Sequence, residues 1–537
     1  MSTPADIDEP METAPQQQSV QNRLERLFGS DPALATRILW PRWLFLRCLG
    51  AIFFSAFYSL AFQIHGLIGP RGILPAGAYL RAVARVLPGP SRFWEVPTLL
   101  WAGAGVGVGD AALTALVAAG LAASVLLVLN VWPRGAIAVC LALFLSFISA
   151  AQDFSSYQSD GMLLEAGFLS LFFAPGGFRP GLGAARPPSR ASLFLLQWEW
   201  FRIYFQSGVV KLASGDPQWR DLTAMDHYYE NGPLPTWIGW YAHQLPHAFH
   251  AATALATLVI ELFLVWTAWL PRRFRLACCA IVTVLQVGII LSANYAFLNY
   301  LVLVLGLLLL DDQALGRLGL RAPAAAPAGP PRRMSRWGRW RIAVAAVALT
   351  AVFWTTLVTF LPRATALWPA PLTAPARLLA PFRIANPYGL FAVMTRARYE
   401  IEFQGTEDGA TWVAYPFRYK PQDPAEAPGI YAPYQPRFDW NLWFASLGSW
   451  REYPWVLEVE GRLVERSPDV LALFRRDPFA GAPPRQVRAV LWQYRFTSRA
   501  ERRATGRWWR RRLLGPYAPA VERRPDGSLG LQQSAGE

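Results

Sequence analysis

Nine apolar windows punctuate the chain, each near the length of about 20 residues that a helix needs to cross a hydrocarbon layer. They read as Trp43–Leu67, Ala111–Asn130, Gly135–Ala151, Gly161–Ala174, Ser192–Ala213, Phe249–Leu270, Phe274–Ser292, Tyr295–Leu310 and Ile342–Leu361. The fourth and eighth are the shortest. Such a pattern constrains the fold strongly, because a helix is one of the few structures that satisfies its own backbone in lipid. Composition agrees: charged residues are only 16% of the chain, where a soluble domain carries about a quarter. The first 36 residues are polar and lack an apolar core followed by a small-residue cleavage site. No cleavable signal peptide is therefore expected, and the first window directs insertion.

Arginines set the expected orientation. Arg37, Arg42 and Arg47 lead into the first window, Arg134 follows the second, and Arg179, Arg186 and Arg190 separate the fourth from the fifth. Arg272, Arg273 and Arg275 join the sixth to the seventh, and a cluster from Arg332 to Arg341 precedes the ninth. Strict alternation puts all of these on one side, the cytoplasmic one. Everything after Leu361 is then outside. Arg71, Arg81, Arg85 and Arg92 are the exception, in the long first outer loop, where charge rules are weaker. The net charge of +15 is thus topological, implying membrane lipids and no nucleic acid as partners. The basic run Trp508–Arg512 reads as solvated or headgroup-facing.

Ionisable groups at hydrocarbon depth are costly and mark a polar site. The fifth window carries Glu199, Arg202 and Lys211. Among 51 basic residues, only Lys211 and Lys420 are lysines. Two readings of Lys211 stand: an ammonium that snorkels to the interface, or a base whose pKa shifts on burial, which arginine cannot replace. At roughly 100° per residue, Trp200, Tyr204, Ser207 and Lys211 share one helical face, and Glu199, Arg202 and Gln206 share another. Asp160 and Glu165 lie in and just below an outer turn. The expected assembly is an outward cavity rimmed by histidines, with Glu165 opposite Lys211 and His65 nearby. Arg202 is expected to pair with Glu199 or Glu261. His243, His247 and His250 have helical spacing, but Pro246 interrupts them and no carboxylate or thiolate completes a site, so no metal is expected. Cys48, Cys140, Cys278 and Cys279 all fall inside windows and no CxxC occurs, so disulfide exchange is not expected. No cofactor is implied.

The expected fold class is a polytopic α-helical membrane bundle followed by a C-terminal β-rich soluble domain. The divisions are a polar tail (1–36), a membrane domain (37–361) with an inner linker (315–341), an outer domain with an interfacial lead-in (362–520) and a polar tail (521–537). Alternating segments around Asp408-Gly409 predict a hairpin. Further strands are predicted at Tyr453–Glu460 and Val487–Thr497. Trp440, Trp443, Trp450, Trp455 and Trp492 suit a client-binding surface or a core equally well. Arg437, Asp439, Trp440 and Trp443 are the client-binding candidates.

Several long strings resemble the lipase maturation factor family: YQSDGMLLEAGFL (157–169), WEWFRIYFQSGVVKLASGDPQWRDLTAMDHYYENGPLPT (198–236), PRFDWNLWFASLG (436–448) and LWQYRFT (491–497). The resemblance extends from about Trp40 to Pro519. It implies a membrane protein needed for exported clients, dimeric lipases among them, to fold and leave their compartment. The Ala/Arg/Pro-rich composition suggests a bacterial-type relative in the inner membrane with a periplasmic C-terminal domain; a eukaryotic one would sit in the endoplasmic reticulum membrane, facing the lumen. A shorter stretch, YFQSGVVKL followed by DPQW, is similar to the membrane domain of the vitamin K-dependent carboxylase. There the lysine matching Lys211 is the base. Two functions remain open: a maturation factor whose outer domain engages clients, or a membrane enzyme acting on a lipid or lipid-soluble cofactor, with Lys211 as base and Glu165 or His65 as partner. The balance of the residues leans away from an enzyme.

Overall fold

The computed structural model describes residues 22–103, 108–155, 157–322, 335–360 and 368–532. Six helical segments have the length and apolarity to cross a membrane. These are α1 (Leu39–Ala61), α2 (Asp110–Val128), α3 (Pro133–Ala150), α6 (His247–Leu262, extended by a short 3₁₀ stretch to Trp269), α7 (Arg272–Ser292) and α9 (Arg336–Val358). The other three expected windows are helical but different in kind: α4 (Gln158–Phe173), α5 (Arg190–Ala213) and α8 (Leu298–Gly306). α4 and α8 are short, and α5 carries the charges. All three are largely enclosed by the other helices. A helix shielded by protein does not need a lipid-compatible surface, so its sequence escapes a hydropathy criterion. The expected count of nine crossings thus reduces to six that qualify by length and composition.

Beyond α9, a short helix α10 (Ala370–Leu379) with no buried residue packs along it, and the C-terminal domain, expected from the sequence to be the outer one, begins. It is an antiparallel six-stranded sheet in the order β2-β1-β3-β5-β6, with β4 also on β3. The strands are β1 (Arg398–Thr406), β2 (Val413–Ala414), β3 (Gln486–Phe496), β4 (Trp509–Pro516), β5 (Val521–Arg523) and β6 (Leu529–Leu531). The hairpin at Asp408-Gly409 forms as its sequence suggests. Gly409 takes a positive φ of 78°, and the Asp408 carboxylate accepts from the N–H groups of Ala410 and Thr411. Ile401, Phe403, Val487 and Ala489 lie inside the core, where helices α11 (Arg437–Ala445) and α12 (Trp455–Val464) cover the sheet.

Two expectations fail here. Tyr453–Glu460 was expected as a strand, but Trp455–Val464 is helical. The buried Trp455, Val456, Val459 and Leu463 recur at helical spacing, and Pro454 starts the turn. Residues 521–537, set apart by sequence as a polar tail, supply β5 and β6 instead. At the other end, part of the expected 1–36 tail is ordered: Glu25–Gly29 and Pro32–Thr36 are helical turns. Most of that tail, and residues 323–334 of the expected linker, lie outside the described residues.

Candidate functional site

Four sets of buried charges organise the molecule. The first sits between α4 and α5. Arg202 donates to Glu165 Oε1 and to the Asn386 carbonyl at 2.6 Å. The other carboxylate oxygen of Glu165 accepts from the Asn386 N–H at 2.9 Å and the Tyr388 hydroxyl at 2.8 Å. The Tyr388 hydroxyl also lies 3.4 Å from Glu199, and its ring lies under the Arg202 guanidinium. Asn386 and Tyr388 belong to the lead-in of the outer domain, so this segment inserts into the helical bundle. The Tyr388 N–H donates to Gln206 of α5 at 3.0 Å, and the Asn386 amide donates to Gly161 of α4 at 3.0 Å.

The second set joins α5 to α6. Lys211 donates to both oxygens of Glu261 at 2.8 Å, and its ammonium lies 5.0 Å from the Trp219 ring centroid. The close approach is made possible by Gly208. A Cβ there would come within 2.9 Å of Glu261 and Leu262 side-chain carbons. Because Glu261 is fourteen residues into α6, the pair lies about 20 Å below the start of that helix at 1.5 Å per residue. Lys211 is 2% exposed. It is an interior residue in this fold, its ammonium held by Glu261.

The third set clamps the outer domain to the bundle. Arg437 of α11 donates two hydrogen bonds to Asp160 at the start of α4, at 2.7 and 2.8 Å, and a third to the Phe154 carbonyl. Rings of Phe147 and Tyr157 flank its guanidinium. Nearby, the Gln435 N–H donates to Ser59 of α1 and its carbonyl accepts from Gln63. The fourth set places Glu400 between Arg398 and Lys420, while Arg398 also donates to the Glu230 and Pro233 carbonyls of the loop after α5.

Several expected pairings are corrected by this geometry. Arg202 pairs with Glu165, not with Glu199 or Glu261. The Gly208 crossing brings Glu261 beside Lys211, one turn from Gly208, and away from Arg202. Glu165 does not face Lys211, because Arg202, Asn386 and Tyr388 use its oxygens. His65 is remote from both: its ring nitrogens meet Asp110 and Thr114 of α2 at 3.0 Å. His247 pairs with Asp226, and His243 stands 3.9 Å from Glu230. No group of three metal-ligating side chains forms among the described residues. The client-binding candidates turn inward. Arg437, Asp439 and Trp440 are buried between the two modules, and Trp443 donates to the Asn231 carbonyl. Their polar and aromatic character serves docking within the chain.

Asn386 and Tyr388 are components that the sequence did not single out. Their signal was local: ANPYG at 385–389 is turn chemistry next to an apolar stretch, without a charge to draw attention.

The strings that make up this network match known proteins along nearly the whole chain. Residues 40–317 match the lipase maturation factor transmembrane domain, and residues 384–519 match the lipase maturation factor C-terminal domain. Lipase maturation factor 1 of Bos taurus is 33% identical over 93% of this chain and 92% of its own length. Lipase maturation factor 2 of Gallus gallus is 33% identical over 90% of this chain and 81% of its own. Lipase maturation factor 1 of Homo sapiens is 31% identical over 92% of this chain and 90% of its own. No solved structure matches. With both modules present in order and similarity running through each, the chain belongs to the lipase maturation factor family.

Proposed function

We propose that this protein is a membrane-embedded maturation factor for exported proteins, lipases among them, whose outer domain meets clients on the extracytoplasmic side. The collinear match of both modules to proteins named lipase maturation factors carries this reading. The arginine distribution supports an outward C-terminal domain, with α4, α5 and α8 crossing as the interior of a nine-helix bundle. In a bacterium the outer domain is then periplasmic; in a eukaryote it is lumenal. Because Arg437, Asp439 and Trp440 are engaged within the chain, the client surface falls elsewhere. The edge of β4 suits it: Arg510, Arg512, Leu513 and Leu514 are exposed along a strand that, among the described residues, pairs on one side only. Unpaired strand edges accept extended segments.

The alternative of a membrane enzyme using Lys211 as base has less support, since Glu261 occupies the ammonium and neither Glu165 nor His65 is beside it. A strain lacking the protein should export less active lipase at unchanged lipase synthesis, and the full chain should restore it. Normal export of active lipase in that strain would refute the proposal.

A further inference from the structure

A cavity of about 410 Å³ lies between α5, α6, α7 and α8, within the range of small-molecule sites. Phe249, Thr253, Thr257 and Glu261 line it from α6 at a strict spacing of four, which places them on one face. Its α5 wall is Ile203, Tyr204, Ser207 and Lys211, and its α7 wall includes Gln286 and Gly288. α6 packs chiefly on α5, and α7 on α8 and on the short 3₁₀ extension of α6, while the outer surfaces of α6 and α7 expose Leu255, Val259, Val284, Val287 and Leu291. Such a surface belongs against lipid chains, so the cavity opens toward the bilayer interior.

The lining is mostly apolar, with one polar end. At that end the Lys211 ammonium gives two of its three donors to Glu261, and no acceptor for the third occurs among the described residues. The pair carries no net charge. Tyr204, Gln286 and Asn299 continue as a neutral chain of hydrogen bonds: Gln286 donates to the Tyr204 hydroxyl at 2.9 Å and accepts from Asn299 at 2.7 Å. A phosphate placed here would meet the Glu261 carboxylate with like charge and no surplus cation. A carbonyl or hydroxyl oxygen would instead satisfy the remaining lysine donor. We propose that this cavity binds one neutral lipid, an apolar chain bearing a carbonyl or hydroxyl group and no phosphate. The site is independent of how clients are handled.

Gly288 provides a direct test, because a Cβ built there meets nothing within 4 Å. Gly288→Phe should project from this open position and fill the cavity, and Thr257→Trp should fill it from the opposite wall if the first variant accumulates poorly. The full chain purified from membranes is examined by native mass spectrometry and by extraction of its bound lipids. The wild type should retain a neutral lipid near one per chain, and the filled variant at least tenfold less, at equal thermal stability; Gly288→Ala should behave as wild type. Mass and ultraviolet absorbance separate a glycerolipid from an isoprenoid quinone. Equal neutral lipid in wild type and a folded filled variant would overturn the proposal, as would phospholipid alone in the wild type.

Discussion

Arg437 and Asp160 face each other with no solvent exposure at all, joined by parallel hydrogen bonds of 2.7 and 2.8 Å across the boundary between the outer domain and the bundle. Both residues belong to strings by which the family is recognisable. The pairing explains why a charge at the top of α4 and a charge 277 positions later belong together.

Breaking that clamp should loosen the outer domain. Removing one partner of a buried pair costs about 3–5 kcal/mol, because the other charge is left stranded. Arg437→Met should lower the melting temperature in detergent and expose the 383–395 segment to trypsin. Arg437→Lys should recover only part of the loss, since an ammonium cannot reproduce the two-pronged geometry. Asp160→Asn combined with Arg437→Met should be less damaging than Arg437→Met alone.

The same logic applies to Arg202 and Glu165. Arg202→Met should reduce folded protein by an amount corresponding to about 3–5 kcal/mol, and adding Glu165→Gln should restore part of it. Adding Glu261→Gln instead should worsen it, because Lys211 would also be stranded. Membrane accumulation and melting temperature measure both. Rescue by the Glu261 change and not by the Glu165 change would contradict the observed pairing.

Outside the membrane, Asp439 makes stability depend on pH. Burial pushes its carboxyl up to about 6, with the Lys420 ammonium and the N–H groups of Lys420 and Tyr419 opposing. The folded state therefore holds a proton that the unfolded state releases near pH 4. The stabilisation is complete below that unfolded value and is lost as pH rises through about 6. From pH 4 to pH 7 the loss is about 2 kcal/mol at 1.36 kcal/mol per unit, because the unfolded group is already about half ionised at pH 4. Glu230 and Glu460, also raised by burial, act in the same direction. Asp439→Asn keeps an oxygen for both N–H groups and should flatten part of the fall in melting temperature between pH 5 and 8. Parallel curves for the two proteins would remove Asp439 from the explanation.

Sidedness is open to fusion experiments. Alkaline phosphatase fused after Ala425 should be active, and fusions within Ala324–Ala328 should be inactive. The opposite pattern would invert the arrangement proposed here.

Much of this fold was legible in the chain because membrane helices and hairpins leave local marks. The long windows gave α2, α3, α6 and α7 within about two residues of their observed limits and α1 and α9 with one end displaced by six, and Asp408-Gly409 gave its turn. The buried charges were also visible, since Glu165, Arg202 and Lys211 stand in apolar surroundings. Their partners were not. Helical spacing fixes which residues share a face but not which face meets which, and the decisive contact at Gly208 is a missing side chain. Insertion of 383–395 into the bundle left no periodic trace at all. The inward turn of Arg437 and Trp440 was hidden for a related reason: aromatic and arginine residues suit an interface within a chain as well as one between chains.

Whether the intramembrane charges hold an architecture or perform a reaction turns on Lys211. Arginine can pair with Glu261 but cannot act as a neutral base. A strain lacking the protein should be complemented with wild type and with Lys211→Arg at matched membrane levels, and active exported lipase measured. Near-complete restoration by Lys211→Arg is the predicted result; a Lys211→Arg protein that inserts and accumulates normally yet restores nothing would contradict the account and point to chemistry at this lysine.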